Sequence, residues 1–99
     1  MEIITNGNDQ TLTISLDGRM DTLSAPKLQK ELEGASEDVQ LITLDFSNLE
    51  YMSSAGLRVL LLGHRRMESK GGQLLIKNIS PILMEIFTAT GFNKVLHLK

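Results

Sequence analysis

Two adjacent hydroxyls, Ser53 and Ser54, stand directly before Ala55-Gly56-Leu57 and an apolar repeat of helical spacing. A serine at such a point can cap the helix. It can also accept a phosphate, because exposed first-turn amides and the helix dipole tolerate added negative charge. The other chemically capable groups are dispersed. Asp17, Asp21 and Asp45 fall near the ends of strand-like segments, where carboxylates can do acid–base work but more often complete turns and helix caps. His64 lies on an apolar helical stripe and His97 in a terminal strand-like segment, neither with a patterned partner, so both read as packing residues. The five methionines are spread along the chain and fill a core without further explanation.

Several chemistries are excluded. With no cysteine in the chain, disulfides, thiolate metal sites and cysteine nucleophiles are all absent. Gly71-Gly72 follows a helical segment instead of opening one, so there is no glycine-rich phosphate loop. Without that loop or a general base, a small enzyme or nucleotide-binding domain built on Asp21, Asp45 and the serines is the weaker reading. The chain reads as non-catalytic, with no metal and no cofactor.

The elements that must position the serines follow from periodicity. Thr11-Leu12-Thr13-Ile14-Ser15-Leu16 alternates polar and apolar, predicting a half-buried strand that ends at Asp17-Gly18. Glu2 to Thr5 pairs with it across a turn at Asn6-Gly7-Asn8-Asp9. A helix follows, capped by Thr22 or Ser24, with Pro26 in its first turn and Ala25, Leu28, Leu32 and Ala35 on its apolar face. Val39 to Phe46 is apolar on both faces over Leu41-Ile42-Thr43-Leu44, predicting a central strand covered on at least one side by helices. A turn is then expected before Ser53. Leu57, Leu60, Leu61, His64 and Met67 mark the second helix, which Gly71-Gly72 ends. Leu74-Leu75-Ile76 reads as a further strand. Ser80-Pro81 opens a third helix carrying Leu83, Ile86, Phe87 and Thr90 on one face with Gly91 beyond it, and Val95 to Leu98 supplies a last strand. The order β-β-α-β-α-β-α-β predicts an α/β fold with a largely parallel sheet.

Bulk properties agree. A chain of 99 residues, 41% hydrophobic and 22% charged, can bury one core, so residues 1–99 are read as a single domain. Net charge is −2, and only His64-Arg65-Arg66 with Lys70 cluster, too little to bind a phosphate backbone directly. No secretory leader is visible and no apolar run approaches the ~20 residues of a membrane span, so a cytoplasmic location without membrane insertion is expected.

The segment Asp45-Phe46-Ser47, then Tyr51-Met52-Ser53-Ser54-Ala55-Gly56-Leu57, resembles the signature of STAS domains, specifically the bacterial anti-sigma factor antagonists. Gly18-Arg19-Met20-Asp21, Gly71-Gly72 before an apolar strand, Ser80-Pro81 and Thr90-Gly91-Phe92 extend the resemblance over nearly the whole chain. It implies a STAS-type mixed, largely parallel sheet with helices packed mainly on one face. It also implies phosphorylation at Ser54, with Ser53 the secondary candidate, by an anti-sigma factor that is also a serine kinase, and reversal by a PP2C-type phosphatase. Unphosphorylated, such a protein binds the anti-sigma factor and frees the sigma factor; a monomer suits that role. Asp21, Ser53, Ser54, Ala55, Gly56 and Arg58 are the implied partner-binding residues, the small pair Ala55-Gly56 letting another backbone approach closely. Ser53 stands where the family usually has aspartate, and the chain stops at Lys99, where members generally add a final helix. The alternative within the resemblance is a STAS subunit docking on an ABC-transporter ATPase of the lipid-trafficking type.

Overall fold

The alternating segment at Thr11 is the start of a longer strand in the computed structural model, which describes residues 1–99. β1 (Glu2–Gly7) and β2 (Thr11–Met20) form an antiparallel hairpin. Asn8 closes it, its Oδ1 accepting from the amides of Gln10 and Thr11 at 2.9 and 3.0 Å. Then follow α1 (Ala25–Glu33), β3 (Leu41–Met52), α2 (Ser54–Ser69), β4 (Gln73–Lys77), α3 (Pro81–Thr90), a single 3₁₀ turn (Phe92–Lys94) and β5 (His97–Leu98). The sheet order is β1-β2-β3-β4-β5, and every pair after the hairpin is parallel.

That order never reverses. Successive right-handed crossovers in one direction therefore lay all three helices on the same face of the sheet. Ile14 and Leu16 of β2, Ile42, Leu44 and Phe46 of β3, and Leu74 and Ile76 of β4 point into that layer and are buried. Phe46 stacks on Phe87 of α3 with ring centroids 6.4 Å apart. Gly63 brings α2 close to α1, since a Cβ there would lie 2.8 Å from Leu32 Cδ1 and 3.4 Å from Leu74 Cδ2. Side chains of the Leu44 or Phe87 kind, fully buried, each contribute roughly 1.5–3 kcal/mol by leaving water. The opposite face is open. Leu41, Thr43 and Asp45, which alternate with the buried residues of β3, are only half-covered, so helices cover one face of this central strand, within the expectation of cover on at least one side.

Several boundaries differ from expectation: Asn6 and Gly7 belong to β1 instead of the turn, and the last strand starts at His97 instead of Val95. β2 does not stop at Asp17-Gly18 but runs to Met20, with Gly18 at φ +108° inside it. β3 starts at Leu41 instead of Val39 and continues past Phe46 to Met52, so the turn expected before Ser53 is absent. The reason lies in the register. Ser15 pairs with Asp45 but Asp17 with Asn48, and Gly18 pairs with Leu49 but Arg19 with Tyr51. β3 thus carries two single-residue bulges, each shifting the phase of its side chains. The buried positions run Ile42, Leu44, Phe46, then Leu49, then Met52, and no simple alternation survives.

Candidate docking and modification site

The last residues of β2 and β3, Met20 and Met52, are register partners, and the amide of Ser53 donates to the Met20 carbonyl at 2.8 Å. This bond fixes where the chain leaves the sheet for α2. Ser53 takes extended dihedrals (φ −89°, ψ 174°) and caps the helix, its Oγ accepting from the Gly56 amide at 3.4 Å. Ser53 is half-buried. Ser54, the first helical residue, is exposed, and its hydroxyl makes no intramolecular hydrogen bond. The two hydroxyls therefore have different roles: one is committed to the backbone and the other faces solvent at the positive end of a 16-residue helix. A shallow groove between α1 and α2 joins Ser54, Ala55 and Arg58 to Thr22, Pro26 and Gln29. Arg58 is exposed one turn beyond Ser54, an i,i+4 spacing that lets the two side chains meet.

Beside this turn lies the loop from β2 to α1. Neither Thr22 nor Ser24 caps α1 through its side chain. Ser24 occupies the cap position with near-helical dihedrals (φ −96°, ψ −25°), and its hydroxyl turns back to the strand, donating to the Arg19 carbonyl at 2.7 Å and accepting from the Asp21 amide at 2.8 Å. The free amides are taken by Asp21, whose Oδ1 accepts from Leu23 and Ser24 at 3.0 Å each. The Ser24 amide, then its hydroxyl, then the Leu23 amide hold the Asp21 carboxyl below the usual carboxylate range, against a smaller opposing effect of desolvation. So constrained, the loop holds Leu23 in water, 86% exposed. Next to it the Arg19 guanidinium lies over the Tyr51 ring, 4.3 Å from its centroid.

Gly56 does not serve as an open landing for another backbone. It is buried, and a Cβ there would lie 2.8 Å from Met52 Cγ and 2.9 Å from Met20 Sδ. Its smallness lets α2 settle onto the ends of its own strands. Of the implied surface, Asp21, Ser53, Ser54, Ala55 and Arg58 remain partly or fully accessible and adjoin one another; Gly56 lies beneath them. Leu23 is the residue that sequence reasoning missed. Its only signal was an isolated apolar residue inside a polar capping loop.

Asp45 lies away from this turn. It lies on the open face, its Oδ1 taking the Ser47 hydroxyl, the Asn78 side-chain amide at 3.0 Å and the Ser47 amide at 2.9 Å. Those donors, in that order, lower its pKa. They stabilise the first bulge of β3 and the turn at Asn78, which has φ +60°. Asp17 is exposed within β2, where it pairs with Glu2 on one side and Asn48 on the other. The histidines were expected to stand alone, yet His64 and His97 lie together, with ring centroids 5.4 Å apart. No helix is long and apolar enough to cross a membrane.

Fold and site together define a singly wound α/β domain that exposes a serine at a capped helix start. The chain belongs to the STAS domain family, whose profile matches residues 2–99. It is 31% identical over 93 residues to BtrV of Bordetella bronchiseptica, named as a candidate anti-sigma factor antagonist, covering 93% of this chain and 80% of that protein. It is 26% identical over 91 residues to the anti-sigma-B factor antagonist of Bacillus subtilis, covering 92% of this chain and 84% of that one. Among solved structures, the anti-sigma factor antagonist SpoIIAA in its unphosphorylated form superposes with a TM-score of 0.80 at 22% identity, over 99% of this chain and 87% of that one.

Proposed function

We propose that this protein is an anti-sigma factor antagonist that works by partner switching. Unphosphorylated, it docks on an anti-sigma factor through Asp21, Ser53, Ser54, Ala55 and Arg58; phosphorylation at Ser54 releases it, and a PP2C-type phosphatase resets it. It is a substrate and a docking module in the cytoplasm, not an enzyme. One observation carries the assignment of the acceptor: Ser54 is exposed with a free hydroxyl, whereas the Ser53 hydroxyl is half-buried and accepts from Gly56. A kinase needs an unencumbered nucleophile that can enter its cleft. The shared groove with Arg58 also supplies a cation one turn away.

The test is incubation with ATP and the cognate anti-sigma kinase, with the phosphate located by mass spectrometry. Phosphate on Ser54, lost in Ser54→Ala and kept in Ser53→Ala, is the expected result. Phosphate on Ser53, or partner release without any modification, overturns the assignment.

A further inference from the structure

Both histidines of the chain converge on one carboxylate. His64 and Glu68 are one turn apart on α2, and His97 comes from the edge strand β5. His97 Nε2 is 2.9 Å from Glu68 Oε1 and His64 Nε2 is 3.9 Å from the same oxygen. Each of the three side chains offers a ligand atom within 4.8 Å of the other two. The cluster begins ten residues beyond Ser54, roughly 15 Å along the helix axis, so it is separate from the docking turn.

A single carboxylate oxygen facing two imidazoles is poorly used as a hydrogen-bond acceptor alone, since only His97 is close enough to bond it. The set suits a different task. Two imidazoles and one carboxylate are the ligands of borderline divalent ions such as Zn²⁺ and Co²⁺, and unlike those of Ca²⁺ or Mg²⁺, which take oxygen. Tetrahedral bonds of ~2.0–2.2 Å place neighbouring ligand atoms about 3.3 Å apart. The present separations bracket that value, and the mobility needed is available because Glu68 and His97 are 50% and 44% exposed. His64 is the anchored ligand, its ring largely covered and its Nδ1 buried without a partner. That missing partner leaves its orientation without outer support, which points to binding on the order of micromolar rather than tighter. Gln40, Gly71 and Gln73 line the open approach to Glu68 and His97, so an ion has a path and water can fill the fourth position.

We propose that His64, Glu68 and His97 form a three-ligand site for a borderline divalent transition ion, Zn²⁺ foremost, that clamps β5 onto α2. β5 has two residues and pairs only with β4, so a second attachment has mechanical value. Binding to the folded chain alone must also stabilise it by mass action.

The tag-free protein is titrated with CoCl₂, followed by its visible absorption, and with ZnCl₂, followed by calorimetry and thermal melting. One equivalent should bind, with Co²⁺ bands of four-coordinate intensity and a rise in Tm of about 5 °C or more in excess Zn²⁺. Glu68→Gln and His97→Ala, both at exposed positions, should each weaken binding at least about tenfold without unfolding the chain. MgCl₂ and CaCl₂ should leave Tm unchanged. Failure of Zn²⁺ and Co²⁺ to bind, or binding that survives both Glu68→Gln and His97→Ala, overturns the proposal.

Discussion

Ser54→Asp should stabilise the fold while it destroys docking. At the first position of α2 a carboxylate faces unpaired amides, worth about 0.3–1 kcal/mol through the helix dipole. The same carboxylate lies four residues before exposed Arg58, in the favourable order for an i,i+4 pair worth about 0.2–0.5 kcal/mol. The sum is roughly 0.5–1.5 kcal/mol, and at about 4–8 °C per kcal/mol for a domain of this size Tm should rise by about 2–12 °C. Thermal melts of the parent, Ser54→Asp, Arg58→Ala and the double variant, at low salt and near 1 M salt, separate the two contributions. The pair term should vanish in the Arg58→Ala background and most of the gain should vanish at high salt, where the screening length is ~3 Å. In parallel, calorimetric titration against the anti-sigma partner should show binding weakened by at least about tenfold, since a charge placed in a docked surface must lose its water. A fall in Tm that tracks the fall in affinity would refute the reasoning, because loss of binding would then be partial unfolding. A rise in Tm with unchanged affinity would remove Ser54 from the interface.

Ser53→Ala removes a cap bond that is already long at 3.4 Å, so its cost should sit near the low end of the capping range, about 0.5 kcal/mol, read as a fall of a few degrees in Tm with Ser54 phosphorylation retained. Asp45→Asn tests the acid limb of stability. The Asp45 pKa is lowered on folding from an ordinary 3.8, so its charge stabilises the fold above that pH and the benefit fades as pH falls through the folded value. Asp45→Asn should therefore melt lower than the parent at pH 7, with the gap narrowing as pH falls below about 4; a gap that does not narrow on acidification contradicts the assigned cause. Leu23→Ala, at a side chain 86% exposed, should leave Tm within about 2 °C but weaken partner binding if the docked surface extends from α2 onto the β2–α1 loop; equal affinity confines the surface to α2.

Elements with one buried face and unbroken phase were legible in the sequence. Ile14 and Leu16 announce β2, and Leu83 with Phe87 announce α3 between Ser80 and left-handed Gly91. What escaped was wherever tertiary pairing overrides local period. The bulges of β3 disguise Ser47 to Met52 as a turn, because the strand gains two residues relative to β2 and its buried face is reset twice. The expected side-chain cap of α1 is absent because the Ser24 hydroxyl turns back to the Arg19 carbonyl of the preceding strand, while Asp21 ties the turn before the helix. Gly56 looked like an invitation to a partner, and only the positions of Met20 and Met52 show that it is filled from below. His64 and His97 are 33 positions apart, on a helix and an edge strand, and nothing in either segment specifies the other. At the serine pair the residues alone left open which hydroxyl caps α2; the resemblance pointed to Ser54 as the acceptor, and the geometry gives the cap to Ser53.

The winding of the sheet explains why such a turn favours docking over catalysis. In a parallel sheet whose strand order reverses, two loops splay apart and leave a crevice where ligands bind and reactions run. Here β2, β3, β4 and β5 follow one another without reversal, so no crevice opens at their carboxyl ends. The starts of α1, α2 and α3 instead line up along one edge, the start of α2 between the other two, with Leu23 and Ile82 exposed on its flanks at 86% and 68%. The positive ends of three helices and scattered apolar side chains make an open surface with a shallow groove beside Ser54. A second protein can cover that surface, and a single phosphate at its centre can deny it, because the negative charge sits comfortably on the free helix end and badly in a dry interface. On the proposed reading, the dipole that tolerates a phosphate on Ser54 would confine its effect to the docking face.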